Sequence, residues 1–126
     1  MRYLLDSTLI IDYGHGDPGA VGLLRELIEA GHDLYTCDVV TCETLSAGDD
    51  DELRYVRNLL DALEYLSTSP TAARWAAESR RSRRSTGGRR SLGDALIAGV
   101  ATNVDATVVT RNRTDYERQG VPVLAY

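Results

Sequence analysis

The chain opens with Arg2-Tyr3-Leu4-Leu5-Asp6-Ser7-Thr8, a short apolar run that stops at a carboxylate followed by two hydroxyl residues. An uninterrupted apolar run of this length predicts a strand buried on both faces, and we predict one over residues 2–6. Ser7 and Thr8 are side chains that cap helices, so they predict a short helix that ends near Asp12 or Tyr13. A buried strand that leads into a helix favours a parallel α/β sheet.

The rest of the chain repeats this alternation of strands and helices. The pattern predicts strands at 33–37, 106–110 and 121–125, a strand or loop end at 64–68, helices at 18–30, 38–47, 49–64, from 70 onward and 92–102, and a helical turn at Asp115. This order favours a mainly parallel central sheet with helices on both faces, which is a three-layer α/β/α sandwich. A length of 126 residues predicts one domain that spans 1–126.

Composition limits the classes of protein that the chain can form. Hydrophobic residues make up 43% of the chain and charged residues 26%, as in ordinary globular domains. No run approaches the roughly 20 apolar residues of a membrane span, and a charge interrupts the N-terminal run too early for a signal peptide, so we expect a cytoplasmic protein without a membrane partner. Cys37 and Cys42 are too few for a disulfide framework and are interpreted as small hydrophobic residues.

Acidic residues follow the predicted strands or open the predicted helices at four distant places. They are Asp6, Glu43, Asp94 and Asp115. Because parallel strands end at one edge of the sheet, where ligands bind, we expect these side chains to converge there. Asp94 has a second interpretation, since Ser91 and Asp94 have the spacing of a helix capping box. A group of carboxylates without a cation repels itself, so the pattern predicts bound Mg²⁺ or Mn²⁺.

Four segments together resemble the PIN domain, and specifically the VapC-type toxins of bacterial toxin–antitoxin pairs. They are Leu4-Leu5-Asp6-Ser7-Thr8, Val40-Thr41-Cys42-Glu43-Thr44-Leu45, Gly93-Asp94-Ala95-Leu96-Ile97-Ala98 and Val108-Val109-Thr110-Arg111-Asn112-Arg113-Thr114-Asp115-Tyr116. The resemblance covers the whole chain in order and spacing. It implies a single PIN domain over 1–126 with the three-layer fold described above, and a Mg²⁺- or Mn²⁺-dependent endoribonuclease that cleaves structured RNA such as tRNA or rRNA.

The resemblance also implies roles for particular residues. Asp6, Glu43, Asp94 and Asp115 are the expected metal ligands and catalytic acids, with Asp6 and Asp94 as direct ligands. Asn112 stands where many relatives have an acid, so either Asn112 or Asp115 completes the site. The hydroxyls of Thr110 and Ser7 are secondary candidates that could hold a metal-bound water or a phosphate.

An arginine-rich segment directly precedes the predicted helix that carries Asp94. Every one of the 14 positively charged residues is an arginine, a side chain that binds phosphate through a bidentate fork. We predict that Arg83, Arg84, Arg89 and Arg90 bind RNA phosphates; a solvated charge run and a surface for an antitoxin tail are the alternatives. The resemblance implies a VapB-type antitoxin as partner, a homodimer and toxin–antitoxin hetero-oligomers, with the apolar stripe of helix 52–64 serving either the core or an interface.

Two other functions remain open from the sequence. The uncharged Asn112 would suit a non-catalytic PIN module that binds RNA or a partner through an incomplete metal site. A metal-dependent phosphatase would place a second acid two residues after Asp6, but Thr8 stands there. The residues do not identify the RNA that is cut or the number of metal ions.

Overall fold

The fold is described from a computed structural model, which describes residues 1–82 and 91–126. The predicted phosphate-binding residues Arg83, Arg84, Arg89 and Arg90 therefore lie outside the described residues. Within that part of the chain there are five strands, namely β1 (Arg2–Leu5), β2 (Asp33–Cys37), β3 (Glu64–Leu66), β4 (Thr107–Thr110) and β5 (Val123–Ala125). The same residues form seven helices, namely α1 (Ser7–Gly14), α2 (Pro18–Glu29), α3 (Asp38–Leu45), α4 (Asp50–Ala62), α5 (Pro70–Ser82), α6 (Leu92–Asn103) and α7 (Arg113–Glu117).

The strands form one parallel sheet in the order β3-β2-β1-β4-β5. This arrangement confirms the predicted α/β class, including a strand where the sequence left a strand or a loop end open. Chain order runs outward in both directions from the pair β1–β4, which is therefore the switch point where parallel sheets bind ligands. Leu5 pairs with Val109 across this switch point, so Asp6 and Thr110 follow at the same level.

Helices cover the sheet on both faces. Because crossovers between parallel strands are right-handed, the helices that join β1, β2 and β3 lie on one face, and those that join β3, β4 and β5 lie on the other. Packing between α5 and α6 is very close: a Cβ atom at Gly99 would lie 2.5 Å from the carbonyl oxygen of Ala72. A glycine is therefore required at that crossing.

The core lies between the sheet and these helices. Leu4, Leu5, Val108 and Val109 from the two central strands are fully buried, as expected of strands covered on both faces. The apolar stripe of α4 also faces inward, because its central residues are buried and its last members pack against the core; these residues are Val56, Leu59, Leu60 and Leu63. Of the two predicted roles for the stripe, the structure shows the core role.

The boundaries differ from prediction at several helix and strand ends. The last strand starts at Val123 rather than at residue 121, after Gly120 turns the chain with a φ of +77°. Helix α3 ends at Leu45, and its first residue Asp38 does not cap it. The Asp38 carboxylate instead accepts hydrogen bonds from the backbone N–H (3.1 Å) and the hydroxyl (2.6 Å) of Thr68. No helix in the described part of the chain is long and apolar enough to cross a membrane.

Candidate active site at the carboxyl ends of β1 and β4

Asp6 is the centre of the candidate site and is almost fully buried, with 2% of its surface exposed. It follows β1 in an extended conformation and is itself the N-cap of α1, so the prediction that Ser7 and Thr8 cap this helix is wrong. Its Oδ1 atom accepts hydrogen bonds from Ser7 N (2.6 Å) and the Tyr116 hydroxyl (3.0 Å). Its Oδ2 atom accepts from the hydroxyls of Thr8 (3.2 Å) and Thr110 (2.7 Å). Four donors therefore fix the orientation of this carboxylate.

The hydroxyls of Thr8 and Thr110 are themselves fixed by the backbone that follows β4. Thr8 Oγ1 accepts from the N–H of Arg111 at 3.1 Å, and Thr110 Oγ1 accepts from the N–H of Asn112 at 2.9 Å. Because each oxygen accepts a backbone N–H, the hydroxyl hydrogen is directed at Asp6. Thr110, a secondary candidate in the sequence, thus contacts an acid of the candidate site directly.

Glu43 reaches the same edge of the sheet from the last turns of α3. The Ser7 hydroxyl donates a hydrogen bond of 2.6 Å to Glu43 Oε1, which joins α3 to the start of α1. A Cβ atom at position 93 would lie 2.8 Å from Glu43 Oε2. Gly93 therefore makes room for the Glu43 carboxylate directly beside Asp94.

Asp94 lies in the first turn of α6 and is half-buried. Ser91 caps this helix by accepting from the N–H of Asp94 at 3.1 Å, as the capping spacing predicts. Burial raises the pKa of Asp94 above its usual range, and the negative charges of Asp6, Asp115 and Glu43 raise it further against the opposing Ser91 hydrogen bond. The charges of the three other predicted acids therefore act on Asp94.

Besides Thr8, sequence reasoning missed Tyr116 as a residue of the site. Its side chain is fully buried, and its hydroxyl lies 3.0 Å from Asp6 Oδ1 and 3.4 Å from Asp94 Oδ1. The phenol thus connects the two acids predicted to be direct ligands. Its place in a helix of only five residues gives no hydrophobic period, so the sequence offered no signal for the direction in which the ring points.

The two candidates for the fourth ligand both lie within five residues after β4, and both residues are exposed. Asp115 belongs to the first turn of α7, and its charge contributes to the raised pKa of Asp94. Asn112 precedes α7, and its side chain makes no capping hydrogen bond. Of the two candidates, Asp115 is the one whose charge acts on Asp94.

The donor chemistry of the site suits a hard divalent cation. Within residues 1–82 and 91–126, no three acidic, histidine or cysteine side chains form a ready-made metal cage. The acids gathered at the edge nevertheless offer only oxygen donors, which suit Mg²⁺ and Mn²⁺ better than a softer metal. Their repulsion, visible in the raised pKa of Asp94, is what a cation would relieve. The residues present therefore fit Mg²⁺ or Mn²⁺.

An ion pair between α1 and the turn after β4 lies beside the site. Arg111 Nη1 lies 3.0 Å from both carboxylate oxygens of Asp12, which is 8% exposed. Tyr126 completes the arrangement by donating a hydrogen bond of 2.7 Å to Asp12 Oδ2. The turn after β4 is thus held from two sides, through Arg111 here and through Thr110 at Asp6.

Comparison with known proteins agrees with this geometry. The family model described as the PIN domain matches residues 3–120. The chain belongs to the PIN domain family.

Within that family, the chain is similar to Ribonuclease VapC19 of Mycobacterium tuberculosis (strain ATCC 25618 / H37Rv). The two are 32% identical over 111 residues, which cover 86% of this chain and 87% of the relative. This similarity confirms the resemblance to VapC-type proteins that the four sequence segments indicated.

Solved structures share the fold. A chain in the crystal structure of VapBC2 from Rickettsia felis, bound to a DNA fragment from its promoter, matches with a TM-score of 0.84 and 20% identity, covering 100% of this chain and 99% of that chain. A chain of DNA-bound VapBC from Salmonella typhimurium matches with a TM-score of 0.82 and 21% identity, covering 99% and 98%. At these identities the likeness concerns the fold.

Proposed function

We propose that this chain is a metal-dependent endoribonuclease that acts as the toxin of a toxin–antitoxin pair. The observation that carries the proposal is the meeting of Asp6 and Asp94, far apart in sequence, at the switch point of the sheet, with Glu43 held beside them. The identity of 32% to Ribonuclease VapC19 supports the reaction class, since that relative is named for RNA cleavage. We propose that the single domain over 1–126 carries the activity.

The side chains divide the work at the site. Asp6 and Asp94 are the direct ligands of Mg²⁺ or Mn²⁺, and Glu43 and Asp115 complete the ligand shell or orient a water molecule. When bound, such a cation makes its water more acidic and offsets the negative charge of a phosphodiester. The hydroxyls of Ser7 and Thr110 serve by holding Glu43 and Asp6 in place. Arg83, Arg84, Arg89 and Arg90 bind backbone phosphates of the RNA.

The partner follows from the relatives whose fold the chain shares. Their structures are named as VapBC complexes, so we propose a VapB-type antitoxin as partner of this chain, in a hetero-oligomer built on a toxin homodimer. The acids of the site would be neutralised by a basic side chain of that antitoxin, because the carboxylates at the sheet edge attract positive charge. The substrate is a structured cellular RNA, tRNA or rRNA.

The test is cleavage of purified tRNA and rRNA, with mapped RNA ends, in Mg²⁺, in Mn²⁺ and in excess chelator. Asp94→Asn and Glu43→Gln remove one negative charge each and keep side-chain size. Asp33→Asn is the matched control, because Asp33 is exposed and lies at the amino end of β2, whereas the site lies at the carboxyl ends of the strands. We expect cleavage by the wild type and the control, loss of cleavage by at least about 100-fold in both site variants, and no cleavage with chelator. Equal cleavage by wild type and both site variants would refute the nuclease assignment.

A second function is favoured by one specific observation, the uncharged Asn112 next to the site. If Asp115 does not supply the missing charge, the chain would be a non-catalytic PIN module that binds RNA or a partner. Asn112→Asp distinguishes the two functions. If the wild type binds RNA without cutting it and Asn112→Asp cuts the same RNA, the binding module is favoured. Cleavage by the wild type excludes the binding module.

A further inference from the structure

The hydroxyl of Tyr116 is the one feature of the described site that touches both predicted direct ligands. It lies 3.0 Å from Asp6 Oδ1 and 3.4 Å from Asp94 Oδ1, and packing holds its fully buried ring. A phenol has one hydrogen to donate. The shorter distance assigns that hydrogen to Asp6, with Asp94 as the alternative acceptor.

The number of donors on Asp6 gives this contact a consequence for metal binding. A carboxylate offers about four lone-pair sites, and Asp6 accepts from Ser7, Thr8, Thr110 and Tyr116. A cation that binds Asp6 must therefore replace one of these donors. Ser7 donates through its backbone N–H, and the two threonine hydroxyls are directed at Asp6 by backbone N–H groups.

We propose that Tyr116 is a positioning residue that holds Asp6 and Asp94 together and competes with the divalent cation for their Oδ1 atoms. The inference rests on the proposed metal site and adds a control on it: the hydroxyl sets the cation concentration at which the site fills. Without a cation, the phenol places a hydrogen-bond donor between the carboxylates of Asp6 and Asp94. With a cation between them, the hydroxyl loses this role.

The two roles give Tyr116→Phe two effects of opposite sign. The variant keeps the buried ring and removes only the hydroxyl. Thermal stability in chelator should fall, by about 6–11 °C for the loss of one hydrogen bond to a charged group in a chain of 126 residues. Affinity for the cation should rise about tenfold, because the lone pair of Asp6 Oδ1 that accepted from Tyr116 becomes available to the cation.

The matched control is Tyr126→Phe. Tyr126 donates an even shorter hydrogen bond, 2.7 Å, to the carboxylate of Asp12, which belongs to the neighbouring ion pair rather than to the four acids. This variant should lose thermal stability by a similar amount in chelator and in saturating Mn²⁺. Its Mn²⁺ affinity should change far less than that of Tyr116→Phe, because the Tyr126 hydroxyl contacts none of the four acids and reaches Asp6 only through Thr8.

The experiment is calorimetric titration of the full chain with Mn²⁺, together with thermal unfolding in chelator and in saturating Mn²⁺. We expect a Kd about tenfold lower for Tyr116→Phe than for wild type, and a correspondingly larger gain of Tm on adding Mn²⁺. An unchanged or raised Kd in Tyr116→Phe, with normal binding by wild type, would overturn the role of Tyr116 alone. Absence of Mn²⁺ binding by every protein would instead overturn the proposed metal site, and this inference with it.

A second measurement begins with the wild-type protein, so its first readout does not depend on how well a variant folds. Addition of Mg²⁺ should perturb the ultraviolet absorption of one tyrosine, because its hydroxyl changes hydrogen-bond partner. The difference spectrum should persist in Tyr126→Phe and vanish in Tyr116→Phe. A wild type that binds Mg²⁺ without any tyrosine difference spectrum would also overturn the proposal.

Discussion

Replacing Thr110 by valine removes one hydroxyl from the centre of the site and keeps the shape of the side chain. Thr110 is fully buried at the end of β4, where its hydroxyl donates a 2.7 Å hydrogen bond to Asp6 and accepts one of 2.9 Å from Asn112 N. A hydrogen bond to a charged group contributes about 1.5–3 kcal/mol to stability, and Asn112 is exposed enough for water to replace its partner. We therefore expect Thr110→Val to lower the free energy of unfolding by about 2–3 kcal/mol.

The assay is urea unfolding at pH 7 in the presence of chelator, followed by circular dichroism. Thr107→Val is the matched control, because Thr107 is the first residue of the same strand and Thr110, which contacts Asp6, is the last. A substitution there should change the free energy of unfolding by no more than about 0.5 kcal/mol. If Thr110→Val and Thr107→Val were equally stable, the hydrogen bonds described for Asp6 would not contribute as argued.

Two further predictions concern Gly93, a neighbour of the site, and Asp38, which follows the carboxyl end of β2. Gly93→Ala places a Cβ atom 2.8 Å from Glu43 Oε2, so we expect RNA cleavage and Mn²⁺ affinity to fall. The free energy of unfolding should change by about 1 kcal/mol or less. Gly22→Ala is the control, because no atom lies within 4 Å of its Cβ, and it should leave cleavage and Mn²⁺ affinity unchanged. Burial opposes ionisation of Asp38, but hydrogen bonds from Thr68 and the backbone lower the pKa of Asp38 below its usual range. The folded state therefore gains stability above the ordinary aspartate pKa of about 3.9 and loses it as the pH falls through the lower folded pKa. Thr68→Val should thus be about 1 kcal/mol less stable than wild type at pH 7. Urea unfolding should show that this difference shrinks below about pH 4. A difference that stays constant with pH would contradict the hydrogen bond from Thr68 as a cause of the lowered Asp38 pKa.

The fold was largely readable from the sequence because its signals are local. Apolar runs such as Leu4-Leu5 and Val108-Val109 predict buried strands, and both lie in the centre of the sheet. The order of strands and helices then restricts the topology, since parallel strands need crossovers. The meeting of Asp6 and Asp94 followed from the same rule, because Asp6 comes after a strand and Asp94 lies in the first turn of a helix. Glu43 instead lies near the end of α3, where the Ser7 hydroxyl holds it.

The details within the site could not be read in this way because they depend on packing between distant segments. Ser7 and Thr8 have the composition of caps, yet Asp6 takes the cap, since the extended end of β1 directs its carboxylate at the backbone of α1. The two hydroxyls are then available for acids and backbone groups that other elements bring near. Tyr116 meets Asp6 across 110 positions of sequence, and no period in a short helix predicts such a contact.

The burial of Asp6 makes it both a structural and a chemical residue, and this affects how its variants are interpreted. Its four donors come from the start of α1, the end of β4 and α7, so the carboxylate joins three parts of the fold. An Asp6→Asn variant keeps one oxygen but presents an amide N–H₂ to donors, which leaves hydrogen bonds unmade in the interior. Loss of activity in that variant would therefore combine loss of a ligand with loss of stability. Asp94 and Glu43 are more accessible and make fewer hydrogen bonds, so their variants report on the chemistry of the site more directly.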